Sequence, residues 1–235
     1  MTIIEAKNYE DLSAKAAAVM AAQILKNPSS VLGLATGSSP VGAYKELIKM
    51  NKSGIIDFSD VKTVNLDEYI GLMPENEQSY HYYMHDNLFN HINIKKDSVH
   101  VPSGALADAQ KSCEDYEELI ESLGGIDLQL LGIGLNGHIA FNEPDDNFPP
   151  KTHIVQLTQS TIDANARFYN SRYEVPKTAI TMGIGTIMKA RSILLIASGA
   201  EKVEILEKAL NGSVTPEIPA SVLQYHNDLT VIFCK

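Results

Sequence analysis

The order of segments along this chain constrains its fold most: a short apolar run, a small polar loop, then an amphipathic helix, and the order recurs. Residues 30–35 (SVLGLA) read as a strand, 36–40 (TGSSP) as a turn, and 41–50 (VGAYKELIKM) as a helix with Pro40 in its first turn. Further strands are expected at 61–66, 126–132, 178–182, 192–197 and 229–234, and further helices at 79–91, 107–123 and 200–210. Ahead of them, 8–26 reads as a helix: Asn8 can cap it, Glu10 and Asp11 suit its positive end, and Pro28 follows its last turn. Alternating strands and helices predict an α/β fold, a single Rossmann-like domain over 1–235 whose mostly parallel sheet is covered by helices on both faces. Ligands of such sheets bind beyond the carboxyl ends of the strands. Residues 145–150 (DDNFPP) read as a surface loop, and about 145–175 is a candidate mobile lid.

Bulk composition narrows the function classes. With 235 residues, 44% of them hydrophobic, the chain can bury a sizeable core. It has no apolar run of about 18 residues, and its N-terminal segment lacks the basic-then-apolar order of a signal peptide, so a cytoplasmic enzyme with no membrane contact is expected. Cys113 and Cys234 stand far apart and outside any C-x-x-C pattern, which argues against a disulfide framework or thiolate metal cage. The formal net charge is −10 and the arginines are Arg167, Arg172 and Arg191, a distribution that excludes nucleic acid as the main partner. An anion could still be caught locally by a few cations and a helix N-terminus.

Chemistry is concentrated in the loops after strands. In 35–40 (ATGSSP), Thr36, Gly37, Ser38 and Ser39 can cradle a phosphate with hydroxyls and backbone N–H groups, although an ordinary capped turn accounts for them equally well. Asp67 and Glu68 in 65–69 (NLDEY) end a predicted strand, where a carboxylate at a buried edge can act as a base; such acids also serve as helix caps. Their side chains should point opposite ways if strand pairing continues. In 131–144 (LGIGLNGHIAFNEP), glycines bracket Asn136, His138 and Glu143, a setting that suits a proton-shuttling imidazole better than a structural one. Arg167 and Lys202 are candidate anion contacts, Lys202 because a cation in the first turn of a helix is disfavoured unless it shares an anion there. His81 and His85 are four apart but lack the Glu and third ligand of a zinc site, so no metal is expected. Tyr80, Tyr82 and Tyr83 are read as packing or lining a pocket, and the acids of 114–121 as a solvated helix face.

Taken together, LATGSSPVGAYKEL, NLDEYIGL, GIGLNGHIAFNEP and SGAEK resemble the phosphate loop, catalytic-acid loop, histidine loop and lysine turn of the glucosamine-6-phosphate deaminases, in that order and across nearly the whole chain. The resemblance implies conversion of glucosamine 6-phosphate and water to fructose 6-phosphate and ammonia, as in amino-sugar catabolism. It implies Asp67 as the base at C2 and C1 and His138 as the ring opener, oriented by Glu143 and Asn136. Thr36, Gly37, Ser38, Ser39, Arg167 and Lys202 would hold the phosphate, and no cofactor or metal would be needed. Two departures carry expectations of their own. Asn136 stands where the allosteric members have Asp, so the imidazolium of His138 should be less stabilised and the pH profile shifted. His153 and Val155 stand where those members have basic effector contacts, and Lys235 follows directly on the last strand, so no activation by N-acetylglucosamine 6-phosphate is expected and a monomer is as compatible as a homo-oligomer. The alternatives are a 6-phosphogluconolactonase, which would release no ammonia, and a non-catalytic sugar-phosphate sensor.

Overall fold

The structure, a computed structural model, describes residues 1–105, 108–166, 169, 171 and 174–235, the side chain of residue 164 aside. The described strands form two sheets. The larger has seven strands in the order β1 (Thr2–Glu5), β10 (Leu229–Cys234), β9 (Ser192–Ser198), β6 (Leu128–Leu131), β2 (Val31–Leu34), β3 (Lys62–Asn65) and β5 (Val99–His100), parallel throughout. Its central strands β2 and β6 are buried along their whole length, as near-continuous apolar runs covered on both faces must be. Helix α1 (Tyr9–Lys26) lays Leu12, Ala16, Met20 and Ile24 into the core, one residue per turn along a single face, and the Asn8 side chain accepts from the Asp11 N–H at 2.9 Å as the sequence predicts.

The strand order reverses beside β2. From β2 the chain runs through α2 (Val41–Lys52) to β3 on one side, whereas β6, on the other side, leads on toward β9. The ladder between β2 and β6 joins Leu32 to Leu128 and Gly33 to Gln129 and stops before the carboxyl ends of the two strands. The diverging loops leave a crevice there, the usual ligand position in an open α/β sheet.

The structure differs from the sequence expectation at 178–182. Strand β8 (Thr178–Thr181) lies outside the parallel sheet, in a small antiparallel one between β4 (Asp67–Tyr69) and β7 (His153–Gln156). A four-residue apolar run carries no signal for the direction of its partner. This sheet has its own apolar cluster, which includes Tyr69, Phe141, Leu157 and Ala179, and it sets Asp67 opposite Thr181. The expected helix at 79–91 ends early: α3 spans Tyr80–Asn87, Leu88 leaves helical geometry at φ −144°, and Phe89–His91 form a separate short turn. Helix α4 (Ala109–Ser122) starts at the cap Asp108, whose side chain accepts from the Lys111 N–H at 3.0 Å. Short helices α5 (Gln159–Asn165) and α6 (Ile184–Met188) were not expected; α7 (Ala200–Asn211) was. Among the described residues no helix is long and apolar enough to cross a membrane.

Candidate active site

A cleft of about 440 Å³ opens at the crevice beside β2 and β6. It is lined by Thr36, Gly37, Ser38 and Ser39 after β2, Asp67 of β4, Asn136 and His138 after β6, and Lys202 in the first turn of α7. Four separate stretches of sequence thus meet in one space. Glu143 lies buried behind His138, and Arg167 falls outside the described residues. Lys202 Nζ is 3.5 Å from Ser39 Oγ, which brings the cation to the hydroxylic loop. Gly37 holds φ +85°, a turn that side-chain-bearing residues rarely adopt.

Asp67 is 6% exposed. Burial, and then the charge of Glu68, push its carboxyl up to about 8, so a large fraction is protonated at neutral pH. Glu68 faces the other way, as strand alternation requires. Its carboxylate accepts from the backbone N–H groups of Tyr69 at 2.8 Å, Tyr80 at 2.9 Å and His81 at 2.9 Å, and so caps the start of α3. One acid of the pair therefore faces the cleft while its neighbour fixes the scaffold.

His138 sits on a tight turn closed by the Gly134 N–H to His138 carbonyl bond, 2.9 Å, and the Gly137 N–H to Gly134 carbonyl bond, 3.0 Å. The imidazole lies directly against Gly134: a Cβ there would come within 2.3 Å of Cε1. Its Nδ1 is 3.5 Å from Glu143 Oε2. Glu143 is held from several sides. Asn136 Nδ2 donates to Oε2 at 2.7 Å, and the hydroxyls of Thr158, at 3.1 Å, and Thr161 donate to Oε1. Burial by itself would raise the Glu143 pKa, but His138, Thr161 and Asn136 outweigh it and bring it down to about 2. A fixed carboxylate thus stands behind the imidazole. Asn136 touches that ring only indirectly: besides its bond to Glu143, its Oδ1 accepts the His138 backbone N–H at 3.2 Å.

Sequence reasoning missed the contribution of α5, from which Ser160, Thr161 and Asn165 line the cleft. The available signal was the cap Thr158, whose hydroxyl accepts the Thr161 N–H at 3.3 Å. Tyr80 lines the cleft, Tyr82 is exposed, and Tyr83 donates to the Gly37 carbonyl at 2.6 Å. The His81 and His85 rings pack at a tilt of 37° with centroids 4.7 Å apart.

Comparison with known families matches residues 5–232 to glucosamine-6-phosphate isomerases/6-phosphogluconolactonase. The chain belongs to this family. One member, a glucosamine-6-phosphate deaminase from Lachnoclostridium phytofermentans, is 60% identical over 234 residues, covering 100% of this chain and 99% of that one. Another family member of the same name, from Thermoanaerobacter sp., is 57% identical and matches 100% of this chain and 93% of its own length. Among solved structures of the family, a monomeric glucosamine-6-phosphate deaminase matches with TM-score 0.98 at 46% identity, covering 100% and 98% of the two chains. A 6-phosphogluconolactonase from Thermotoga maritima, 20% identical with TM-score 0.76 over 99% and 98% of the chains, shares the fold.

Proposed function

We propose that the chain converts glucosamine 6-phosphate and water to fructose 6-phosphate and ammonia, in a cleft that grips the phosphate at the 36–39 loop and carries out proton transfer at Asp67 and His138. The observation that carries this reading is the pairing of two differently tuned proton carriers in one cleft: a carboxyl raised to about 8 and an imidazole backed by an ionised Glu143. The names of relatives sharing 52–60% of their residues with this chain support it.

His138 relays the proton from the C1 hydroxyl to the ring oxygen, which opens the pyranose and exposes an aldehyde at C1. The Asp67 carboxylate then takes the proton from C2, beside that aldehyde, while the aldehyde oxygen gains the proton that the C2 ammonium gives up, forming an enolamine. Asp67 returns its proton at C1, leaving a hydroxyl on C1 and an iminium at C2. Water adds to C2, and the resulting carbinolamine expels ammonia and leaves the ketone. Lys202 and the loop hold the remote phosphate, so binding energy there orients C1 and C2 over Asp67. A base with a pKa near the working pH suits reversible proton transfer better than an ordinary aspartate does. We read the active species as a monomer, in line with the monomeric relative at 46% identity.

The test is to follow ammonia and fructose 6-phosphate from glucosamine 6-phosphate with the wild type and Asp67→Asn. The wild type should form both products in equal amounts, and the variant should lose roughly 10²- to 10⁴-fold in kcat. Hydrolysis of a phosphogluconolactone without ammonia release, or a fully active Asp67→Asn, would reject the proposal.

A further inference from the structure

The loop after β2 is held from behind by three tyrosines. Tyr44 of α2 donates to the Ala35 carbonyl at 2.5 Å, and Tyr83 of α3 donates to the Gly37 carbonyl at 2.6 Å. Tyr9, the first residue of α1, donates to the carbonyls of Ser38 at 3.0 Å and Ser39 at 3.3 Å and accepts the Gly42 N–H at 2.9 Å. The cleft is lined by the loop residues and not by these tyrosines, so the hydroxyls reach the loop on its far side.

The consequence follows from peptide geometry. Described peptide bonds are trans, and in a planar trans unit the N–H points opposite to the C=O. Turning the carbonyls of Ala35, Gly37 and Ser38 toward the tyrosines therefore aims the N–H groups of Thr36, Ser38 and Ser39 toward the cleft. The Ser39 carbonyl precedes Pro40, which has no N–H to aim. The Gly42 N–H, in the first turn of α2, is given to Tyr9 and not to the cleft.

We propose that Tyr9, Tyr44 and Tyr83 are positioning residues that preset this loop as a receptor for the substrate's phosphate. The proposal rests on reading the cleft as a sugar-phosphate site. Donors already aimed at the anion need no peptide flip when it arrives, which lowers the ordering cost of binding. Helices α1, α2 and α3 thereby take part in recognition.

Tyr83→Phe and Tyr9→Phe keep the rings and remove the hydroxyls. In each, the KM for glucosamine 6-phosphate and the Kd for inorganic phosphate, measured by calorimetry, should rise together by about tenfold, with a smaller change in kcat and an unmoved pH profile. A lowered Tm with KM and phosphate affinity unchanged would overturn the proposal and leave the tyrosines as staples between helices. The wild type supplies a readout that does not depend on either variant folding. Saturating inorganic phosphate should slow hydrogen exchange at the Ser38 and Ser39 amides, and failure to protect them overturns the proposal equally. If the wild type releases no ammonia yet its phosphate affinity falls in the tyrosine variants, the deaminase reading fails and the positioning role stands.

Discussion

Asn136 bonds to Glu143 and to the His138 backbone rather than to the imidazole. Its amide donates to Glu143, a bond that a carboxylate at the same place could not make. Asn136→Asp would set a second acid about 2.7 Å from Glu143 Oε2, where the two oxygens must share a proton or repel. The added acid beside the imidazole should therefore shift the pH dependence of kcat/KM. An unchanged profile in a pH-rate series on the pure variant would refute this. At this scale the sequence was informative wherever chemistry and backbone coincide: glycines around a lone histidine and hydroxyls before a helix are visible in one dimension. Tyr9 and Tyr83 were not, because a tyrosine that reaches about 30 positions ahead or 46 back to a carbonyl looks, in sequence, like any amphipathic packing residue.

Between elements, Glu68 joins β4 to α3. Two of its three backbone bonds, from Tyr80 and His81, hold the start of the helix, and its charge contributes to the raised pKa of Asp67 after burial. Glu68→Gln keeps one accepting oxygen but turns an amide N–H₂ toward backbone donors. Stability should fall by about 1–3 kcal/mol, and the acid limb of the pH profile, on the proposal that Asp67 is the base, should shift to lower pH. Chemical denaturation together with that profile checks both, and a shift to higher pH would contradict the electrostatic account. Long helices and interior strands were legible because burial on both faces, or along one stripe, writes a strong apolar pattern. Strand β4 was not, since two of its three residues are acids; nor was β1, an edge strand whose residues are largely exposed; nor α5, whose polar face turns into the cleft and so mimics a solvated surface.

In the molecule as a whole, the buried carboxyl of Asp67 works against stability near neutral pH. The Asp67 carboxyl binds its proton more tightly in the native state, at about 8 against 3.8 when unfolded, so its contribution is full below pH 3.8 and is lost as pH rises through 8. Glu143 behaves oppositely: its contribution is present above pH 4.5 and lost as pH falls through about 2. Between pH 4.5 and 8 the Asp67 effect remains, and Asp67→Asn should flatten the decline and stabilise the protein at pH 8 by an amount on the order of a few kcal/mol. Melting temperatures of both proteins at pH 5 and pH 8 test this; parallel curves would show that the burial of Asp67 carries no such penalty. The order of the large sheet has a further consequence, for the timing of synthesis. Strand β1 takes its place against β10, with Thr2 beside Thr230, so β1 is synthesised long before the strand that gives it a ladder to join. Until then the growing edge of the sheet is open on the β9 side, and a chaperone or a second nascent chain competes for that edge with the protein's own first strand.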